Sequence, residues 1–324
     1  TGLGANGANY STVDRFYTYA NGTAGRFTMT QDSSAPDGFA NSLKLDCTTA
    51  DTSIAAAEQL VLAQVIEGQN LQHLNKGTSS ALPVAVSFYV KGNASATYMC
   101  ALIDNDNNRM STKQFSVTTD WTRITINVPA DTTGALDDDN AGSFNLNFYL
   151  HAGSNLTGGT YTASTWGAST DANRAVGISS FFDSTDRTFF LTGVQLEVGQ
   201  NATEFEHEPV ERTLAKCQRY YQRWQANTAY DAVCVGQMTT DIFWVGQYRL
   251  APEMKAEPTL SSNGTFKVNA SNSDMDASSI ALARATPQIV SIECATTDAD
   301  RQGQGAYLRA GDDSDAFIEF ISEL

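Results

Sequence analysis

Phe189–Trp224, FFLTGVQLEVGQNATEFEHEPVERTLAKCQRYYQRW, divides the chain into two strand-patterned parts. Its first ten residues alternate: Phe190, Thr192, Val194, Leu196 and Val198 fall on one side and Phe189, Leu191, Gly193, Gln195 and Glu197 on the other, the period of a strand. Gly199-Gln200-Asn201 turns the chain, Ala202–Glu208 is extended, and Pro209 stops it. From Glu211 onward, Leu214, Cys217, Tyr221 and Trp224 follow the three-then-four spacing of one helical stripe. Glu211 in the first turn and Arg219 and Arg223 near the end suit the helix dipole. A helix of four turns at most needs a surface to pack on, so these four side chains are expected at a domain or subunit contact.

Upstream, strand candidates recur at Val13–Tyr19, Arg26–Gln31, Leu43–Thr48, Gln59–Ile66, Val84–Lys91, Thr97–Ile103, Gln114–Val117, Thr122–Val128 and Phe144–His151. In Phe144–His151, Phe144, Leu146, Phe148 and Leu150 face one way and Asn145, Asn147, Tyr149 and His151 the other. Turn chemistry sits between the runs, as in Pro36-Asp37-Gly38 and Lys91-Gly92-Asn93. No helical period is sustained in this half, and Gln69–Leu74 is a single helical turn at most. The pattern specifies an all-β fold, a jelly-roll β-sandwich over residues 1–208. Residues 209–226 form one linking α-helix. Short strand patterns then return at Ala232–Met238, Ile242–Leu250, Thr265–Asn269, Ile280–Ala283, Gln288–Cys294, Ala306–Arg309 and Phe317–Ile321, so residues 227–324 read as a second, smaller β-sandwich or barrel.

The 324 residues carry a net charge of −16 and a pI near 4.4, with no Lys/Arg cluster, which argues against nucleic acid as a partner. No apolar stretch approaches membrane-spanning length and no signal peptide opens the chain, so no membrane insertion is expected. The chain begins at Thr1 rather than methionine, which leaves room for residues ahead of it. Cys47, Cys100, Cys217, Cys234 and Cys294 are scattered without metal-ligand spacing and read as buried thiols of a protein folded in a reducing cytoplasm.

Two segments break the strand rhythm: the acidic Asp131–Ser143 and the Gly-, Ser- and Thr-rich Gly153–Ser180. Loops of that length are functional or disordered more often than architectural. In the second, Trp166 and Tyr161 offer aromatic faces to a sugar ring, and Tyr149 and His151, on the polar face of their strand, extend the platform. The plainer reading of Trp166 is that it folds back to seal the sandwich edge. Asp104, Asp106 and Asn108 alternate in the turn IDNDNN, and Asp137, Asp138 and Asp139 form a second oxygen-rich cluster. Structural calcium is one reading; Asx residues at a hairpin tip, with no cofactor at all, is the other. The three histidines are far apart, and no G-x-S-x-G, H-E-x-x-H, P-loop or G-x-G-x-x-G is present, so the chain does not read as an enzyme.

TGVQLEVG, NATEFE and LAKCQRYYQ, within Thr192–Gln222, resemble a signature recurring in tail-fibre and other virion structural proteins of bacteriophages. YSTVDRFYTY, APDGFANSLKLDCTTAD, IEGQNLQHLNKGT, VSFYVKGN, DTTGALDDDN and NRAVGIS resemble the same group, so the similarity runs over Asn9–Trp224; MKAEPTL, at Met254–Leu260, extends it. Glu204 departs from the pattern where a proline is common. The resemblance implies a carbohydrate-binding-module-like jelly roll in a virion component, assembled in the host cytoplasm beside other virion proteins. It implies a homotrimer for a fibre and transfers no binding residue. The leading expectation is a tail fibre or spike subunit that recognises host-surface glycans. Against it stand a capsid-decorating, head-fibre or tail-connecting protein without a ligand, and, behind both, a polysaccharide-cleaving spike.

Overall fold

The computed structural model describes residues 2–3, 7–9, 13, 15–297 and 301–323. Tyr10–Thr12 and Asp14 of the YSTVDRFYTY segment lie outside the described residues. The chain forms two compact units that meet in sequence between His207 and Glu208. It is all-β, with one α-helix of more than a single turn among the described residues. No helix among them is long and apolar enough to cross a membrane.

The first unit is a sandwich of two antiparallel sheets. One has the order Gly2–Leu3, Arg26–Asp32, Ser42–Thr49, Thr188–Val198, Val84–Gly92 and Thr122–Val128. The other runs Gly167–Ala168, Arg109–Val117, Ala96–Asp104, Gly142–Ala152, Gln59–Glu67, Phe16–Asn21 and Gly7–Asn9. Beside hairpins such as Ala96–Asp104 with Arg109–Val117, several neighbours in each sheet come from distant parts of the chain, as in a jelly roll, and the strand Thr188–Val198 lies in mid-sheet between Ser42–Thr49 and Val84–Gly92. Val86, Phe88, Val90, Phe144, Leu146, Phe148 and Leu150 all enter the core, the inward set that the alternation assigns. There Phe88 meets Phe148 and Phe115 edge to face, at 5.0 and 5.1 Å between centroids. Such pairs add about 0.5–1.5 kcal/mol each beyond their burial.

The outer face of the seven-stranded sheet is not wet. Register places Tyr19, Val61, Tyr149, Met99 and Gln114 in one row across it, and Tyr17, Ala63, Asn147, Ala101 and Thr112 in the next. Much of this surface is apolar, and residues 153–180 fold over it, closing a second small core with Leu156 and Ala175. Backbone bonds fasten the cover: Ser164 N donates to Thr112 O, Ala175 N to Leu156 O and Ser169 N to Asn108 O. The long insert is an ordered lid on a sheet.

The second unit pairs a closed six-stranded barrel with a three-stranded sheet. The barrel runs Ala232–Thr240, Phe243–Arg249, Ile289–Thr296, Ser273–Ala285, Phe266–Ala270 and Gly305–Ala310. The sheet joins Tyr221–Gln225, Phe317–Ile321 and Thr259–Asn263. Both contribute to one core around the fully buried Trp244. The indole needs a neighbour without a side chain: a Cβ on Gly246 would stand 2.3 Å from its ring.

The expected helix is shorter than the stripe. It spans Val210–Gln218, and Tyr221 and Trp224 belong instead to the strand Tyr221–Gln225. There the side chains of Tyr221 and Arg223 meet Glu319 on the neighbouring strand, and Trp224 packs near Phe266. Pairing with the strand Phe317–Ile321, distant in sequence, overrides a local helical period.

Candidate functional site

The four aromatics expected to form a sugar platform do not form one. Tyr149, at 1% exposure, is buried beneath the insert because the face that carries it is covered rather than hydrated, and His151, turned inward by the register shift that follows Tyr149, is buried at 0% beside Phe182. Tyr149 and Tyr161 share the second core, where the Tyr161 hydroxyl accepts from Gln114 N at 3.1 Å. Trp166 seals the sandwich edge: its Nε1 donates to Pro129 O at 2.9 Å and its ring lies 5.9 Å from Phe144. His151 points elsewhere again, between Ser180 and Glu58. Burial pushes its imidazole below the ordinary value, against the pull of Glu58 and Asp51.

Calcium on Asp104, Asp106 and Asn108 also gives way, because a lysine ammonium already fills the role of the cation. Asp104 is wholly buried and takes Lys76 Nζ at 2.5 Å on one oxygen and Asn107 N at 3.0 Å on the other. Lys76 Nζ lies 3.1 Å from Asp131, which Arg109 grips through two bonds of 2.7 and 2.9 Å. Burial pushes the Asp131 carboxyl up, but the bonds from Arg109 and Lys76 outweigh it and hold the group below the usual carboxylate range. Asp106 and Asn108 stand exposed at the hairpin tip, with Asp106 accepting from Asp137 N and Asn108 in the left-handed region at φ 51°. Two carboxylates balanced by two cations form a structural network.

Of the residues expected to pack the linking helix, Leu214 is 55% exposed and Cys217 half-buried, while Val210 at the helix start is 80% exposed. The helix therefore presents apolar side chains to solvent. Tyr221 and Trp224 pack within their own unit through the strand described above.

A ligand-sized groove opens at the sandwich edge, between Phe16 of the seven-stranded sheet and the strands Arg26–Asp32, Ser42–Thr49 and Thr188–Val198 of the other. The strand Thr188–Val198 pairs with Ser42–Thr49 only as far as Leu191↔Leu43, and its register with Val84–Gly92 shifts between Thr192 and Gln195. Gly193 makes that bulge at φ 59°, where an L side chain is strained, and a Cβ there would meet the Phe39 ring at 2.7 Å. Beside the bulge opens a groove of 470 Å³, with an apolar floor that includes Phe16 and Leu191 and a polar rim of Gln31, Asn41, Ser42 and Thr192. Pockets of a few hundred Å³ or more with few polar groups are the usual form of a small-ligand site.

Phe39 links the groove to an aromatic cluster on the outer sheet face. Its ring is 5.4 Å from Tyr89, 5.0 Å from Phe205 and 5.2 Å from His207, and Arg123 lies 5.9 Å over Tyr89. The arm after the strand brings Phe205 and His207 there, stitched down by polar bonds. Glu197 accepts from Thr203 N at 2.8 Å and Thr203 Oγ1 at 2.7 Å, and Gln195 Oε1 accepts from Glu206 N at 2.8 Å. Burial pushes the Glu197 carboxyl up, and the bonds from Thr203 and Gln195 outweigh it, so it sits below its ordinary value. Half-buried ring faces beside amides, hydroxyls and a guanidinium suit a polyhydroxylated ligand held without chemistry. Sequence reading passed over this site because Phe39 and Phe205 sit in segments read as turn and arm. The glycine inside the strand Thr188–Val198 was the available signal of a bulge.

No family model and no curated protein matches the chain. Solved structures similar to it include the family 11 carbohydrate-binding module of the cellulosomal cellulase Lic26A-Cel5E of Clostridium thermocellum. That likeness has 12% identity and a TM-score of 0.31 over 63% of this chain and 99% of the module. The enzymatically active domain of tailspike protein 4 of bacteriophage CBA120 matches at 12% identity and a TM-score of 0.31, over 57% of this chain and 19% of that one. The CBM22-1 xylan-binding domain of Paenibacillus barcinonensis Xyn10C matches at 14% identity and a TM-score of 0.29, over 57% of this chain and 87% of that domain. Likeness at these scores identifies no ligand and no residue.

Proposed function

We propose that the chain is a non-catalytic, glycan-binding subunit of a phage virion appendage, a tail fibre or spike, and that the groove beside Gly193 with the Phe39 cluster holds the glycan. The groove carries this reading: 470 Å³, an apolar floor, and amide and hydroxyl groups at its rim. The sequence resemblance over Asn9–Trp224 supports the virion setting. Single sugar contacts are weak, and clustering subunits raises avidity by about 10²–10⁴ without new contacts. A homotrimer supplies such clustering, and Val210 and Leu214, exposed on a nine-residue helix, favour contact with other copies. The test is binding of the full chain to a glycan array and to host cells. Retention on cells and on a defined glycan class supports the proposal; no binding by the chain while intact virions adsorb sinks it.

One observation favours a second reading, a decorating or connecting block with no ligand. Tyr149, Tyr161 and Trp166 are all packed, as a rigid building block requires. Labelling the protein in intact virions separates the readings, since a distal appendage tip fits the first and a capsid or mid-tail position the second.

A further inference from the structure

Beneath the turn at residues 50–58, Asp51, Glu58 and His151 converge in the interior of the sandwich unit. One ligand atom of each lies within 4.8 Å of the others, and all three residues are at least nine-tenths buried. The parts are held from behind. Asp51 accepts from Thr23 Oγ1 at 2.7 Å and Ala24 N at 2.8 Å. His151 Nδ1 is 2.8 Å from Ser180 Oγ, which also accepts from Phe182 N, and the Phe182 ring braces the imidazole at 5.2 Å. Gly153 N bonds Glu58 O at 2.7 Å, pinning the turn to the end of the His151 strand; a Cβ on Gly153 would come 2.0 Å from Ala55 O.

Two features are unexplained by protein groups alone. Among the described residues no lysine or arginine forms an ion pair with Asp51 or Glu58; Asp51 is compensated by the bonds from Thr23 and Ala24 and by Ser53 N at 3.2 Å, whereas the buried Glu58 carboxylate has no such set of donors. The Glu58 side chain has one described partner, His151 Nε2 at 3.4 Å. A charge-assisted bond between such groups closes to about 2.7–2.9 Å. Two ligands on one tetrahedral zinc, each with a bond near 2.05 Å, stand about 3.3–3.4 Å apart. The 3.4 Å separation of Glu58 and His151 is longer than a charge-assisted bond and equals the spacing of two donors on one ion, with the Asp51 oxygen within 4.8 Å of both.

We propose that Asp51, Glu58 and His151 form a structural site for a zinc-class divalent ion, fastening the turn at residues 50–58 to the strand Gly142–Ala152. An imidazole with two carboxylates suits zinc; calcium prefers an all-oxygen shell of six or more. Ser180 and Thr23 orient the ligands from behind, the arrangement that sets affinity in zinc sites. The fourth position falls to water. The site does not depend on the glycan reading.

The test uses the full chain, stripped with chelator and titrated with Zn²⁺ by calorimetry, with Co²⁺ as a spectroscopic stand-in. One Zn²⁺ per chain is expected, with tetrahedral cobalt absorption and a rise in Tm on metal addition. Glu58→Gln and His151→Gln should each weaken binding by more than the roughly 10–100-fold that loss of a partner behind a ligand costs. Because a core substitution can impair folding, the wild-type protein is also followed by the ¹⁵N shift of the His151 ring, which zinc should move while His73 and His207 stay put. The proposal is overturned by absence of binding to the wild type, by binding that survives both substitutions, by an unmoved His151 resonance, or by calcium displacing zinc.

Discussion

Lys76→Met tests the ion network under Trp166 most sharply. The substitution keeps the length of the apolar stem but removes the ammonium that bonds Asp104 at 2.5 Å, Thr133 O at 2.9 Å and Gly134 O at 2.9 Å, and lies 5.3 Å over the Trp166 ring. Asp104, with no exposure, is left with the Asn107 donors alone, and Asp131 keeps Arg109. Removing one partner of a buried pair costs about 3–5 kcal/mol. For a unit of this size each kcal/mol lowers Tm by roughly 2–4 °C, so a fall of roughly 6–20 °C is expected. Scanning calorimetry of the full chain reads it in the transition of the sandwich unit. Adding Asp104→Asn to Lys76→Met removes the orphaned charge and should recover about 1–3 kcal/mol relative to additivity. A drop under about 2 °C for the single variant, or simple additivity in the double, would refute the reasoning.

Acid should unfold the sandwich unit through the same network. Asp131 is depressed below its unfolded value of 3.8, so its contribution is complete above that value and disappears as pH falls through the lower folded value. A Tm that stays flat from about pH 5 to about pH 2 would contradict this. In the barrel unit, Trp244→Ala removes a fully buried indole and should cost about 3–5 kcal/mol in denaturant unfolding; a loss under about 1 kcal/mol would mean the core closes over the void. The core thiols Cys100 and Cys294 should be inert. Burial pushes Cys294 up to about 12 and Cys100 higher still, so iodoacetamide at about pH 8 should leave both unmodified by mass spectrometry until denaturant is added. Labelling in the native state at the denatured rate would rule that out.

The alternation in Phe144–His151 was legible because the strand puts Phe144, Leu146, Phe148 and Leu150 into the main core, and period-2 patterning records that burial. The same alternation misled for Tyr149, where Asn and Tyr on the opposite face read as wet, and for His151, which a bulge after Tyr149 turns toward Phe182. Whether a second layer covers a sheet depends on contacts distant in sequence, and residues 153–180 are too polar to announce that they are a lid. The helix boundary failed for a related reason: Leu214, Cys217, Tyr221 and Trp224 satisfy a helical period, yet Tyr221–Gln225 gains a ladder with Phe317–Ile321 that no local window contains. Asp104 illustrates the limit for sites. An acidic turn has the composition of a calcium loop, and only the fold brings Lys76 into it. The groove was hidden because its walls come from Phe16, Gln31, Asn41, Ser42, Leu43 and the bulge at Gly193, segments far apart in sequence.

The central claim is that the groove and its aromatic cluster bind glycan, and a titration calorimetry series against the best ligand from the array tests it directly. The full chain should bind saturably, and Phe39→Ala and Tyr89→Ala should each weaken affinity about tenfold, roughly 1.4 kcal/mol, with Tm nearly unchanged. Tyr161→Phe, on the covered face, should bind as the wild type does. Unchanged affinity in both cluster variants, or loss of binding only on the insert side, would contradict the account.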